Sequence, residues 1–121
     1  MKKLITVLDA VTATTTSSAQ VVSGAKKITF FFTRANHSAG SSTFKVSGSI
    51  DGTTFVDLNS LIEDLTNTNA QNYTRTATVA LSANGTKVAG LDLTHLGYEA
   101  IKVTVTEGVD GTHSCSMLIE G

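Results

Sequence analysis

Apolar and polar residues alternate with a period of two along most of this sequence, and this restricts its fold more than any other feature. In K-I-T-F-F-F-T-R (27–34), Ile28, Phe30 and Phe32 share one face, while Thr29, Phe31 and Thr33 share the other. T-F-K-V-S-G-S-I (43–50) sets Phe44, Val46 and Ile50 against Lys45, Ser47 and Ser49. Y-T-R-T-A-T-V-A-L (73–81) sets Tyr73, Ala77, Val79 and Leu81 against Thr74, Thr76 and Thr78. The same pattern opposes Ile101, Val103 and Val105 to Lys102, Thr104 and Thr106, and Cys115, Met117 and Ile119 to Ser114, Ser116 and Glu120. Successive side chains of a pleated strand point to opposite faces, so such runs read as strands with one buried face.

The gaps between runs carry turn chemistry. Asp51-Gly52, Asn84-Gly85 and Asp110-Gly111 are tight-turn dipeptides in which glycine supplies the positive φ. The first of them predicts a hairpin between strands 43–50 and 53–58. N-H-S-A-G-S-S (36–42) reads as a longer, mobile loop. Residues 60–70 hold the one helix candidate, with Ser60 and Glu63 spaced as a capping box. About seven to nine strands at roughly ten-residue spacing, with at most one short helix, predict an all-β fold. The expected architecture is an antiparallel β-sandwich, Ig-like or jelly-roll-like, with a closed barrel as the alternative. The 121 residues suit a single domain, 1–121. Residues 1–20 form either a first strand within the sheet or an arm offered to a neighbour's sheet edge. The apolar run Leu4–Leu8 is broken by Thr6 and is too short for a signal-peptide core.

Composition narrows the function classes. Net charge is −1 and the basic residues are scattered, so no nucleic-acid footprint is expected. No run has the length of a membrane-spanning helix. The single cysteine, Cys115, excludes an internal disulfide and reads as a buried thiol. His37, His95 and His113 fall on different elements, whereas a zinc site needs convergent ligands, so neither metal nor cofactor is expected. Asp51 and Asp57 read as turn and strand residues rather than calcium ligands. Glu63-Asp64 reads as a solvated helix face. Phe31, between Thr29 and Thr33, is either an exposed contact residue or the second buried face of a central strand. Thr74, Thr76, Thr78, Thr104 and Thr106 are flat-face threonines of the sort that can bind ice, and an ordinary solvated β face is the preferred reading.

V-S-G-S-I-D-G-T-T-F-V-D-L (46–58) resembles a pattern of small virion proteins of tailed bacteriophages, in which a strand ends in G-S-x-D-G and resumes as T-x-aromatic-x-D-L. The short apolar start, the Thr/Ser/Ala-rich stretch after it and the closing Y-E-A-I-K-V-T-V-T with its D-G turn extend the resemblance from Leu4 to the end. The resemblance implies a non-enzymatic structural protein of the virion, assembled in the host bacterial cytoplasm. Its foremost implication is a capsid decoration (cement) protein that binds the major capsid protein and forms a homo-oligomer, a trimer by preference. A head–tail or tail component is a related option. The alternatives are a carbohydrate-binding or adhesion module relying on Tyr73 and Tyr98, and, ranked last, an enzyme built from scattered residues such as Asp51, His95 and Glu99.

Overall fold

The computed structural model describes residues 2–58, 62–64, 74–76, 78–94 and 96–121. Six long strands carry the architecture: β1 (Lys2–Val11), β4 (Lys27–Ala35), β5 (Ser42–Ser49), β10 (Gly85–Asp92), β11 (Ala100–Thr106) and β12 (Thr112–Glu120). Shorter pieces complete the sheets: β2 (Thr15–Thr16), β3 (Gln20–Val21), β6 (Val56–Asp57), β7 (Ile62–Asp64), β8 (Thr74–Thr76) and β9 (Val79–Leu81). The first sheet runs β1-β12-β4-β10-β7-β8. The second runs β2-β11-β5-β6, with β3 also on β11 and β9 also on β5. All pairings are antiparallel, and the two sheets form an antiparallel β-sandwich.

The alternating residues meet between the sheets. Ile28, Phe30, Phe32, Cys115, Met117 and Ile119 come from the first sheet, and Phe44, Val46, Ile101, Val103 and Val105 from the second. Removing each such large side chain from water contributes about 1.5–3 kcal/mol. The Phe32 ring stacks on Phe30 within its strand at 5.6 Å and on Phe44 across the interface at 4.7 Å, joining the two layers.

Several expectations change once the chain is folded. Ile62–Asp64 is a strand, paired to both β10 and β8, and not part of a helix. A helix this short has little intrinsic stability, so a sheet edge that takes up its backbone groups prevails. The remaining residues of that helix candidate, 60, 61 and 65–70, lie outside the described residues, as do Tyr73, Ala77 and His95. β8 and β9, read as one run, belong to different sheets. Ile50 is 77% exposed and Ser49 is buried, the reverse of the alternation, because β5 ends at Ser49 and the chain turns there. Residues 1–20 pair within their own chain: β1 lies along β12, and β2 and β3 lie along β11.

Candidate functional site

The residues that follow β5 form a loop built on one carboxylate. Asp51 Oδ1 accepts hydrogen bonds from the Thr53 and Thr54 main-chain N–H groups, each at 2.9 Å, and from Ser49 Oγ at 2.8 Å. Ser49 Oγ accepts in turn from the Gly52 N–H. The Thr54 and Thr53 N–H groups and the Ser49 hydroxyl hold the Asp51 carboxyl well below the usual carboxylate range. Gly52 has φ +83°, as its place after the aspartate demands. Pairing resumes only with Gly48↔Val56 and Ser47↔Asp57, so residues 49–55 form the connection. The expected two-residue hairpin is therefore a wider loop, with the aspartate standing in for missing ladder bonds. Asp57 lies apart from Asp51. It pairs with Lys45 at 3.1 Å and accepts from Ser47 Oγ.

This loop walls a cavity of about 310 Å³ at one end of the sandwich, lined by Gly48, Ile50, Asp51, Thr54, Val56 and Tyr98. Its lining is mainly apolar, and Ile50 and Val56 remain largely open to solvent. The Tyr98 ring lies directly against the Gly48 backbone: a Cβ at residue 48 would fall 2.8 Å from Tyr98 Cδ1. Glycine at 48 thus sets the position of the aromatic wall.

The other two turn dipeptides are corners between sheets. Asn84-Gly85 leads from β9 in the second sheet to β10 in the first, and Asp110-Gly111 leads from β11 to β12. Both aim polar groups at the 36–42 segment. Asn84 Oδ1 accepts from the His37 N–H, and the Asp110 carboxylate accepts from the Ser38 N–H and hydroxyl. The Ser38 hydroxyl and N–H lower the Asp110 carboxyl to about 2. The segment expected to be mobile is tied at both ends of its turn.

Arg34 completes that tie. Its side chain is fully buried, with Nη1 donating to the Gly40 and Leu81 carbonyls and Nη2 to the Ala39 and Asp110 carbonyls. The Asp110 carboxylate lies 3.5 Å from Nη2. Nearby, buried His113 bonds through Nδ1 to the Val11 carbonyl at 3.2 Å and through Nε2 to Ser42 Oγ at 2.7 Å. A carbonyl can only accept, so Nδ1 carries a proton, and in the neutral ring the serine donates to Nε2. A serine beside an imidazole is nucleophile–base geometry, but both groups are closed off from solvent and Ser42 Oγ also accepts from the Gly108 N–H. The pair fastens loop to sheet. The burial of Arg34 and His113 runs against their residue types, although strand parity marks both: Arg34 continues 28, 30, 32, and His113 precedes 115, 117, 119.

The remaining candidates separate. Burial pushes the Cys115 thiol up to about 12. Among the described residues no three His, Cys, Asp or Glu side chains come together to hold a metal. Thr104 bonds Thr16 in the second sheet, whereas Thr74 and Thr76 belong to the first, so the threonines form no common array. Phe31 lies on the outer face of the first sheet, 41% exposed, between Ser116 and Val88 in register. Thr33, on the same face, bonds Thr86 at 3.0 Å. Leu4, 66% exposed and opposite Leu118, extends this apolar strip toward the β1 edge. Phe31 is therefore exposed on an outer face and not buried on both faces of its strand.

No protein-family model matches the sequence, and no curated protein matches it. Solved structures share the fold. The chain is similar to SPBc2 prophage-derived protein YomS, with a TM-score of 0.67 and 13% identity over 98% of this chain and 92% of that one. It is also similar to PBSX exported protein XepA, with a TM-score of 0.69 and 15% identity over 98% of this chain and 37% of that one. The chain thus spans about a third of XepA's length.

Proposed function

We propose that this chain is a structural component of a tailed-bacteriophage virion, a capsid decoration protein that binds the major capsid protein and has no catalytic role. The observation that supports it most is the match of nearly the whole chain to the fold of a prophage-derived protein, found independently of the G-S-I-D-G-T-T-F motif that carries the sequence resemblance. The outer face of the first sheet is the proposed contact surface. There, Phe31, Val88, Leu4 and Leu118 form an apolar strip edged by Thr6, Thr29, Thr33 and Ser116. An aromatic residue among small hydroxyl side chains has the composition of an interface centre with a polar surround. The protein would act as a homo-oligomer, a trimer by preference, so that a modest contact is multiplied by symmetry.

The test is co-sedimentation with purified capsids, alongside light scattering of the protein alone. The expected result is saturable capsid binding that Phe31→Ser weakens by about tenfold, the loss of one aromatic anchor at a hot spot, with the circular dichroism spectrum unchanged. A protein that stays monomeric and never sediments with capsids would overturn the proposal.

A further inference from the structure

The cavity beneath the 49–55 loop has a combination of walls that the virion reading does not use. Ile50 and Val56 are 77% and 56% exposed although they line the same concavity. Two large apolar side chains beside an aromatic ring form a surface suited to a hydrocarbon stem. At the rim stands Asp51. The Thr53 and Thr54 N–H groups and the Ser49 hydroxyl all bond its Oδ1, and the Thr53 side chain adds a weaker bond to the carboxylate. Among the described residues no cation pairs with it. The nearby basic residues are engaged elsewhere: Lys45 with Asp57, and Lys102 over the Phe55 ring at 4.2 Å. The Asp51 side chain is also held in one orientation by those bonds, so its negative charge is fixed in place.

We propose that this cavity is a binding site for an arginine side chain presented by a partner protein. The aliphatic stem would lie along Ile50 and Val56, the planar guanidinium would stack on Tyr98, and an N–H would be donated to Asp51 Oδ2. Each feature selects for part of that ligand. A purely apolar side chain leaves the rim carboxylate without a cation, and a sugar or a bare ammonium leaves the apolar walls unused. The Thr54 side at the rim adds polar surface without a competing charge. Tyr98 needs no rearrangement, because Gly48 already seats its ring.

The inference stands apart from the virion assignment, since its test uses the isolated protein and a small probe. Methyl NMR of the full chain would follow Ile50 and Val56 during titration with Nα-acetyl-arginine methylamide, and separately with the neutral citrulline analogue. The expected result is saturable shifts at both residues in the millimolar range, with citrulline weaker by about tenfold. Asp51→Asn keeps an acceptor oxygen for the turn and removes the charge, so it should weaken the arginine probe by about tenfold. Its amide spectrum reports whether the loop survives. Ile50→Ser alters an exposed side chain and leaves folding intact, and it too should weaken binding. Equal binding of citrulline and arginine, or no methyl shift up to about 50 mM probe, would overturn the assignment.

Discussion

Replacing Arg34 by methionine isolates the polar contribution of the buried guanidinium, because the thioether chain keeps much of the volume. The arginine donates to four main-chain carbonyls, those of Ala39, Gly40, Leu81 and Asp110, at 2.6–2.9 Å. Hydrogen bonds from a charged donor contribute about 1.5–3 kcal/mol each. A simple sum of four gives about 6–12 kcal/mol, which overstates the loss. The bonds to Ala39, Gly40 and Asp110 are only partly buried, so water replaces part of what the variant lacks. The Leu81 carbonyl bond is buried and has no such recourse. The Asp110 carboxylate is left without its cation as well. The expected net cost is about 3–5 kcal/mol, the range for breaking a buried ionic contact from one side. Against a typical domain stability of about 5–15 kcal/mol, that is a large fraction. Urea unfolding followed by circular dichroism measures it, with the Tm expected to fall by roughly 10–20 °C. Arg34→Lys should be nearly as damaging, since one ammonium cannot reach the carbonyls that two Nη groups divide between them. A loss below about 1 kcal/mol for Arg34→Met would show that the loops hold their places without the arginine.

Three further outcomes follow from the geometry. Gly48→Ala should destabilise by about 1–3 kcal/mol through overpacking against Tyr98 and Leu58, and Tyr98→Ala in the same chain should recover part of that in urea titrations. Asp110 has a folded pKa lowered from 3.8 to about 2, so its contribution to stability is present above the unfolded value and is lost as pH falls through about 4 toward 2. Asp51 acts in the same direction, and Asp110→Asn should flatten the acid limb of a stability–pH curve measured by thermal melts. Cys115, buried and with its thiol raised to about 12, should react with a thiol reagent at pH 8 only as fast as the protein opens, and added urea should accelerate the reaction. Rapid labelling of the native protein would contradict that placement.

Much was written in the chain itself. Phe30, Phe32, Val103, Val105, Met117 and Ile119 declare their buried face through a period of two, because a pleated strand admits no other arrangement of neighbouring side chains. The all-β sandwich follows from those runs and the turn residues between them. The sequence also marked Asp51 as a turn residue, since an aspartate before a glycine can bond the backbone just ahead of it. What folding alone decided is where each strand goes and what its end meets. Asn84-Gly85 and Asp110-Gly111 look like hairpin turns, yet each carries the chain across to the other sheet, because sheet membership depends on long-range pairing. Ile62–Asp64 became a strand because two neighbours offered it a ladder. Arg34 and His113 sit at inward parity, but the carbonyls and hydroxyl that make their burial tolerable come from loops distant in sequence. The cavity beside Tyr98 arises in the same way, from Gly48, Ile50 and Val56 brought to a tyrosine some forty to fifty residues away. Local chemistry determines the elements and their faces, and only the packed sheets determine which groups converge.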